Sequence, residues 1–124
     1  MIIIPNGVWS NKSSLSLFLS DHTWEYSFYK GEKANKSFEI EVDTLDNILH
    51  ELGIKKVDFI MMDIEGAEVE AIKGMNETLA KANLKIAGEH HIVNGKSTYD
   101  IIAKELGAKG FKVNKESVLF YANK

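Results

Sequence analysis

Three carboxylates crowd one short stretch, Met62-Asp63-Ile64-Glu65-Gly66-Ala67-Glu68. Carboxylates this close together can accept a proton, orient a hydroxylic or cationic ligand, or cap a helix. The preceding run, Val57-Asp58-Phe59-Ile60-Met61-Met62, is almost unbroken in apolar character and predicts a parallel strand buried on both faces. Asp63 therefore emerges at the carboxyl edge of a sheet, where open α/β proteins bind their ligands. It reads as a functional residue, and Glu65 lies beside it in the turn. Gly66 lets the chain turn tightly from strand to helix. Glu68 falls in the first helical turn, and its expected task is to complement the helix dipole.

A second loaded strand end is Gly88-Glu89-His90-His91, after the apolar run that starts at Leu84. Neighbouring side chains on an extended chain point opposite ways, so only one of the two histidines faces the cleft of Asp63. An imidazole beside a carboxylate can work as base and orienter, or the two can hold a divalent ion. The spacing matches no recognised metal signature, and no metal site is expected. The expected catalytic set is Asp63, Glu65 and His90, with His91 as the alternative histidine. Trp24, Tyr26, Phe28 and Tyr29 form an aromatic group that either lines an acceptor pocket or, the commoner use, packs a loop down.

These residues need strands and helices to position them. Ile2 to Ile4 reads as a short strand stopped by Pro5-Asn6-Gly7. Alternation predicts strands at Leu15–Leu19 and at Phe38–Val42, with a loop or hairpin over Asp21–Lys36 between them. Asp43 is the expected cap of a helix carrying Leu45, Ile48, Leu49 and Leu52 at helical spacing and closed by Gly53. A single helix is expected over residues 67–82. Another follows Ser97-Thr98-Tyr99-Asp100 and ends at Gly107. Two final strands, 110–113 and 118–122, are joined by Asn114-Lys115-Glu116-Ser117 and must be antiparallel. Strands separated by helices imply a parallel sheet with right-handed crossovers, to which the hairpin adds one antiparallel strand.

Composition removes several function classes. The chain has 124 residues, 44% of them apolar, and a formal net charge of -3, which suits one globular domain. Without a basic stripe it is not expected to bind nucleic acid or a membrane surface. It contains no arginine, so a planar bidentate clamp is excluded. It has no cysteine, which excludes disulfides, thiolate nucleophiles and iron–sulfur clusters and is compatible with the cytoplasm, the expected location. The phosphate-binding loop, the dinucleotide-binding glycine fingerprint and the hydrolase nucleophile elbow are all absent. No apolar stretch approaches the length of a membrane span.

Together these residues resemble a known family. Val42-Asp43-Thr44-Leu45-Asp46, then Val57 through Glu68, then Ile72-Lys73-Gly74 are similar to the FkbM methyltransferases. That family carries V-D-[hydroxy]-L-D, V-D-x-[IL]-K-x-D-x-E-G-x-E and L-x-G at the same spacing. The family's lysine before x-D is missing at Met61-Met62. Glu89-His90-His91, Gly110-Phe111 and Tyr121-Ala122 are similar to the family's ending.

The resemblance implies a class I methyltransferase fold, Rossmann-like, with seven strands in the order 3-2-1-4-5-7-6, mostly parallel with a C-terminal antiparallel hairpin. It implies O-methylation of a hydroxyl on a small molecule or saccharide, with S-adenosylmethionine as cofactor. On that scheme Ile2–Ile4 is strand 3, Val57–Met62 strand 4, Leu84–Gly88 strand 5, and the last hairpin strands 6 and 7. The chain then reads as one partial domain over 1–124, β-rich over 1–42 and α/β over 43–124, truncated at its N-terminus with strands 1 and 2 missing. With those strands go the glycine-rich loop and the ribose-binding acid. Gly7, Val8 and Asp63 are the positions expected to touch the cofactor, and weak or absent binding is expected of this chain alone. A base such as His90 or Asp63 would take the hydroxyl proton.

Two other readings remain. One is a non-catalytic interaction module of the same fold, partnered by a second copy or by a complementary N-terminal half. The other, a phosphoacceptor receiver, fails because no early acidic pair and no strand-end lysine are present.

Overall fold

The computed structural model describes residues 1–20, 26–30 and 34–124. The expectations for Trp24 and for half of the Asp21–Lys36 connection fall outside the described residues. The elements run β1 (Gly7–Val8), β2 (Ser13–Ser20), β3 (Tyr26–Ser27), β4 (Ala34–Asp43), α1 (Leu45–Glu51), β5 (Phe59–Met62), α2 (Glu68–Lys73) and α3 (Asn76–Leu79). They continue as β6 (Lys85–Glu89), β7 (Ile92–Val93), β8 (Lys96–Ser97), α4 (Tyr99–Ala108), β9 (Lys112–Glu116) and β10 (Leu119–Asn123).

The chain is α/β with mixed sheets. The first sheet has the order β1-β4-β2-β3 and is built on the long antiparallel pair β2–β4, with β1 parallel to β4. The second has the order β5-β6-β10-β9. Only β5–β6 in it is parallel; β10 runs antiparallel to both of its neighbours. The expectation of a mostly parallel sheet is thus corrected to a mixed one.

Helices cover one face of this second sheet. Met62, Ile86, Phe120 and Ala122 point inward and meet Ala71, Ile72, Met75 and Leu79 from α2 and α3, and Ile102 and Leu106 from α4. The opposite face carries Phe59, Met61, Leu119 and Tyr121 and is exposed. The prediction that the Val57–Met62 run is buried on both faces is therefore wrong: β5 is an edge strand whose outer side chains meet solvent.

Several other elements depart from expectation for local reasons. Ile2–Ile4 forms no strand and is exposed; parallel pairing with β4 begins only at Gly7, after Pro5-Asn6. Thr44, not Asp43, caps α1: its side chain accepts from the Asn47 amide, while Asp43 accepts from the Thr44 amide and the Asn47 side chain. The helix expected over residues 67–82 breaks into α2 and α3. At the break, Gly74 approaches the Trp9 carbonyl so closely that a Cβ would sit 2.2 Å from that oxygen. The Gly74 carbonyl accepts the Asp46 amide, and the Asp46 carboxylate takes the Glu77 and Thr78 amides that begin α3.

Helix α4 runs one residue past Gly107, and Gly110, at φ 89°, turns the chain instead. The last hairpin closes through Ser117-Val118, because Glu116 pairs directly with Leu119. Finally, β7–β8 is a small hairpin around Asn94-Gly95, both at positive φ, as a two-residue primed turn requires. No helix among the described residues is long and apolar enough to cross a membrane.

Candidate functional site

The parallel pair β5–β6 delivers its two carboxyl ends side by side, with Met62 opposite Gly88. Gly88 is required there: a Cβ would lie 2.5 Å from the Met62 carbonyl. Beyond β5 the chain passes through Asp63, Ile64, Glu65 and Gly66 into α2. Glu65 and Gly66 both adopt positive φ, 52° and 98°. For a non-glycine residue that conformation is costly and persists only where surrounding contacts fix it.

Those contacts are present. Ser27 Oγ donates to the Glu65 carbonyl at 2.9 Å, and Ser27 in turn accepts the Tyr29 amide. Glu68 folds back so that its Oε1 accepts the amides of Ile64 and Gly66, both at 3.3 Å. A carboxylate at the N-terminus of α2 suits the dipole, but Glu68 does more than the sequence suggested. It is wholly buried, and the same oxygen meets Nδ1 of His91 at 3.0 Å. Among the described residues its Oε2 has no hydrogen-bond partner.

The chain beyond β6 is equally constrained. The His90 amide bonds the Val118 carbonyl, extending the ladder with β10. The His91 amide donates to Thr98 Oγ1 at 2.9 Å, and the Thr98 amide donates back to the His91 carbonyl at 2.8 Å. With the backbone fixed, alternation separates the side chains. Glu89 and His91 face Asp63 and Glu65. His91 Nε2 lies 3.5 Å from Glu65 Oε2, 3.6 Å from Asp63 Oδ1 and 3.9 Å from Glu89 Oε2. His90 turns the other way. Its Nε2 donates to the Ser117 carbonyl at 2.9 Å, its Nδ1 faces Ser97 Oγ, and its ring packs near Tyr99.

The structure therefore brings together two of the three expected catalytic residues, Asp63 and Glu65, and pairs them with His91; His90 lies in the hairpin contacts. Glu89 and the positioning role of Glu68 were not anticipated. The signal for Glu89 was available: it stands two residues before His91, on the same side of an extended chain.

A cleft of about 280 Å³ opens beside this cluster. Gly7, Val8, Asp63 and Glu65 line it together with Leu17, Tyr26, Phe28 and Ile40. Gly7 serves close packing, since a Cβ there would meet Phe28 at 2.6 Å and Val42 at 2.8 Å. The aromatic group divides its tasks. Tyr26 and Phe28 reach the cleft, while Phe28 and Tyr29 also pack against Trp9 at ring separations of 5.2 and 6.3 Å. Burial, with the charges of Glu70 and Glu68 nearby, pushes the Tyr29 hydroxyl above its ordinary pKa.

Comparison with known proteins agrees with the resemblance read from the sequence. The family profile described as "Methyltransferase FkbM domain" matches residues 2–113. A stretch of 55 residues is 36% identical to the 2-O-methyltransferase NoeI of Sinorhizobium fredii (strain NBRC 101917 / NGR234). That match covers 44% of this chain and 23% of the relative, so most of the relative's length has no counterpart in the match. No solved structure matches the chain. With the profile spanning nearly all of its residues, the chain belongs to the FkbM methyltransferase domain family.

Proposed function

We propose that this chain supplies the acceptor-facing part of an S-adenosylmethionine-dependent O-methyltransferase acting on a hydroxyl of a small molecule or saccharide. The observation that carries this reading is the cleft that joins Asp63 and Glu65, beyond the carboxyl end of β5, to Gly7 and Val8. Ligands of open α/β sheets bind at that edge. The strand order β5-β6-β10-β9 supports it, because it agrees with the order 4-5-7-6 of the class I methyltransferase sheet. The match to a protein named as a 2-O-methyltransferase supports a hydroxyl acceptor.

The cofactor, when bound, supplies a methyl group on a positively charged sulfur. The chain's residues fit part of such a ligand. Asp63 and Glu65 bring negative charge to the cleft wall, and Tyr26 and Phe28 bring apolar surface. The cleft is slightly smaller than the roughly 300–1,000 Å³ usual for small-molecule sites, so the described residues would hold one end of the cofactor or the acceptor, not both. As the acceptor oxygen took the methyl group, the hydroxyl proton would pass to the Asp63–Glu65 carboxylates, and the cofactor would be left as a neutral thioether. The aromatic wall excludes water and aligns the acceptor oxygen for in-line attack.

Radiolabelled methyl transfer from S-adenosylmethionine to a panel of polyols and saccharides tests the reading. Transfer that falls at least tenfold in Asp63→Asn is expected, from the chain with whatever segment completes its cofactor site. Transfer indifferent to Asp63 would overturn it. A second reading, an interaction module, is favoured by the bare edge of β5 and its exposed Phe59 and Met61. In that case the fold would associate with another chain and transfer nothing.

A further inference from the structure

We infer that Asp63, Glu89 and His91 form a binding site for one divalent cation of the manganese type. One donor atom from each lies within 4.8 Å of the other two. The environment of His91 distinguishes this group from an ordinary ion pair. Its Nε2 has three carboxylate oxygens around it at 3.5, 3.6 and 3.9 Å, all beyond the reach of a good hydrogen bond. Donors that share one ion at about 2.1 Å lie roughly 3.0–3.4 Å apart, at octahedral or tetrahedral angles. The spacing is thus too wide for direct bonding, and an ion would draw the three donor atoms, which lie within 4.8 Å of one another, to that separation.

Glu68 is the independent observation. It is not one of the ligands, it is wholly buried, and it approaches the site through Nδ1 of His91 at 3.0 Å. A carboxylate accepts, so Nδ1 carries the hydrogen and Nε2 is the nitrogen turned toward the carboxylates. A carboxylate behind a histidine is the arrangement that orients an imidazole ligand and raises its basicity toward a metal. The second oxygen of Glu68 is unpaired among the described residues, so the buried charge is only partly compensated. Among those residues, Asp63, Glu68 and Glu89 make no ion pair except with His91. Three carboxylates, Asp63, Glu68 and Glu89, thus converge on one imidazole, and a divalent ion would balance them.

The ligand chemistry sets the kind of ion. One imidazole nitrogen with carboxylate oxygens suits manganese and its neighbours better than calcium, which takes oxygen alone, or soft ions, which prefer sulfur. Asp63 is half exposed and also lines the cleft, so coordination positions remain open on that side. A hydroxyl of the acceptor can occupy one of them and become more acidic there, with Glu65 beside it to take the proton. That role rests on the proposed methyl transfer; the binding of the ion does not.

The test titrates the 124-residue chain with Mn²⁺, without cofactor or acceptor, by calorimetry and electron paramagnetic resonance. One ion per chain at micromolar affinity is expected, with nitrogen coupling in the resonance signal. Glu89→Gln, on a half-exposed side chain, should weaken binding at least tenfold without disturbing the fold. His91→Ala should abolish the nitrogen coupling. Glu68→Gln should weaken binding by roughly 10–100-fold while leaving every ligand in place. No binding up to millimolar Mn²⁺, or equal binding by wild type and Glu89→Gln, would overturn the site. Ion binding in a chain whose completed form transfers no methyl group would remove the proposed function and leave the cation site standing. Full methyl transfer in the presence of a chelator would remove the cation's catalytic role alone.

Discussion

Glu68 Oε1 lies 3.0 Å from His91 Nδ1, and the same oxygen accepts the amides of Ile64 and Gly66. One buried carboxylate thereby fixes both strand ends of the site relative to each other. Glu68→Ala would leave two amides and an imidazole nitrogen short of a partner, and each unsatisfied buried group costs about 1–3 kcal/mol. A loss of that order or more is expected in urea denaturation, with a smaller loss for Glu68→Gln, whose amide oxygen can still accept. Equal stability of Glu68→Ala and wild type would show that the turn holds itself.

Asp63 and His90 separate chemistry from structure. The Asp63 side chain is half exposed and, among the described residues, makes no hydrogen bond that holds an element, so Asp63→Asn should leave the melting temperature almost unchanged. The proposed methyl transfer should fall roughly 10²-fold, the order lost with a positioned acid–base group. His90 bonds the Ser117 carbonyl across the turn of the last hairpin. His90→Ala should cost about 1 kcal/mol and change the rate far less. A His90 variant slower than the Asp63 variant would reverse the assignment.

Much of this was legible in the sequence because it depends on local pattern. Period-two alternation located β2 and β4, and helical spacing located α1. The block from Asp63 to Glu68 announced a strand-to-helix turn with acids at the sheet's carboxyl edge. What escaped depends on contacts between distant segments. Nothing near residues 67–82 signals that Asp46 and the Trp9 carbonyl will break the helix at Gly74. The apolar composition of Val57–Met62 says that the strand is apolar, not that a neighbour covers it. Asn94-Gly95 was a readable hairpin signal that stood next to the more conspicuous histidines. The choice between His90 and His91 follows from the register of β6 against β10, which alternation alone does not supply.

Gly74 gives a sharper test of the helix break. An added Cβ would sit 2.2 Å from the Trp9 carbonyl oxygen, a backbone atom that cannot rotate away. Alanine, normally the better helix residue by about 1 kcal/mol, should therefore destabilise here. Gly74→Ala is expected to lose roughly 1–3 kcal/mol, the usual cost of overpacking. A melting temperature equal to or above wild type would mean that the Trp9 strand end moves freely.

The pair Glu70–Lys73, 2.6 Å apart one helical turn from each other, sets a modest pH dependence. Burial works to raise the Glu70 pKa, but hydrogen bonds from Lys73 and Ser10 outweigh it and leave the carboxyl below its ordinary value of 4.5. The hydrogen bond to Glu70 raises Lys73 above its ordinary 10.5, against the opposing effect of burial. A lowered acid contributes stability above its unfolded pKa and loses it as pH falls through the folded one. A raised base contributes below its unfolded pKa and loses it as pH rises through the folded one. The pair should thus contribute fully from about pH 5 to pH 10, by roughly 0.2–0.5 kcal/mol as a solvated helical pair. The stability gap between wild type and Glu70→Gln, followed by urea denaturation, should be present at pH 7 and shrink below pH 4. A gap that widens in acid would contradict the sign.

The last expectation concerns β5. Among the described residues it pairs with β6 on one side only, and its outer face presents Phe59 and Met61, 57% and 78% exposed. No charged or proline residue within Phe59–Met62 blunts the edge. Open backbone donors and acceptors beside apolar side chains invite another strand. The simplest occupant is the same strand of a second copy, running antiparallel about a two-fold axis so that each edge satisfies the other. The exposed Ile2 and Ile3 add apolar surface to the same molecule. The isolated chain should therefore self-associate with rising concentration in sedimentation velocity. Met61→Lys places a charge on the exposed face next to that edge and should shift the equilibrium toward monomer. Its fold should survive, because Met61 does not contribute to the buried cluster that holds Met62. A clean monomer at high concentration would show that the edge is protected, and undiminished association of Met61→Lys would place the contact elsewhere.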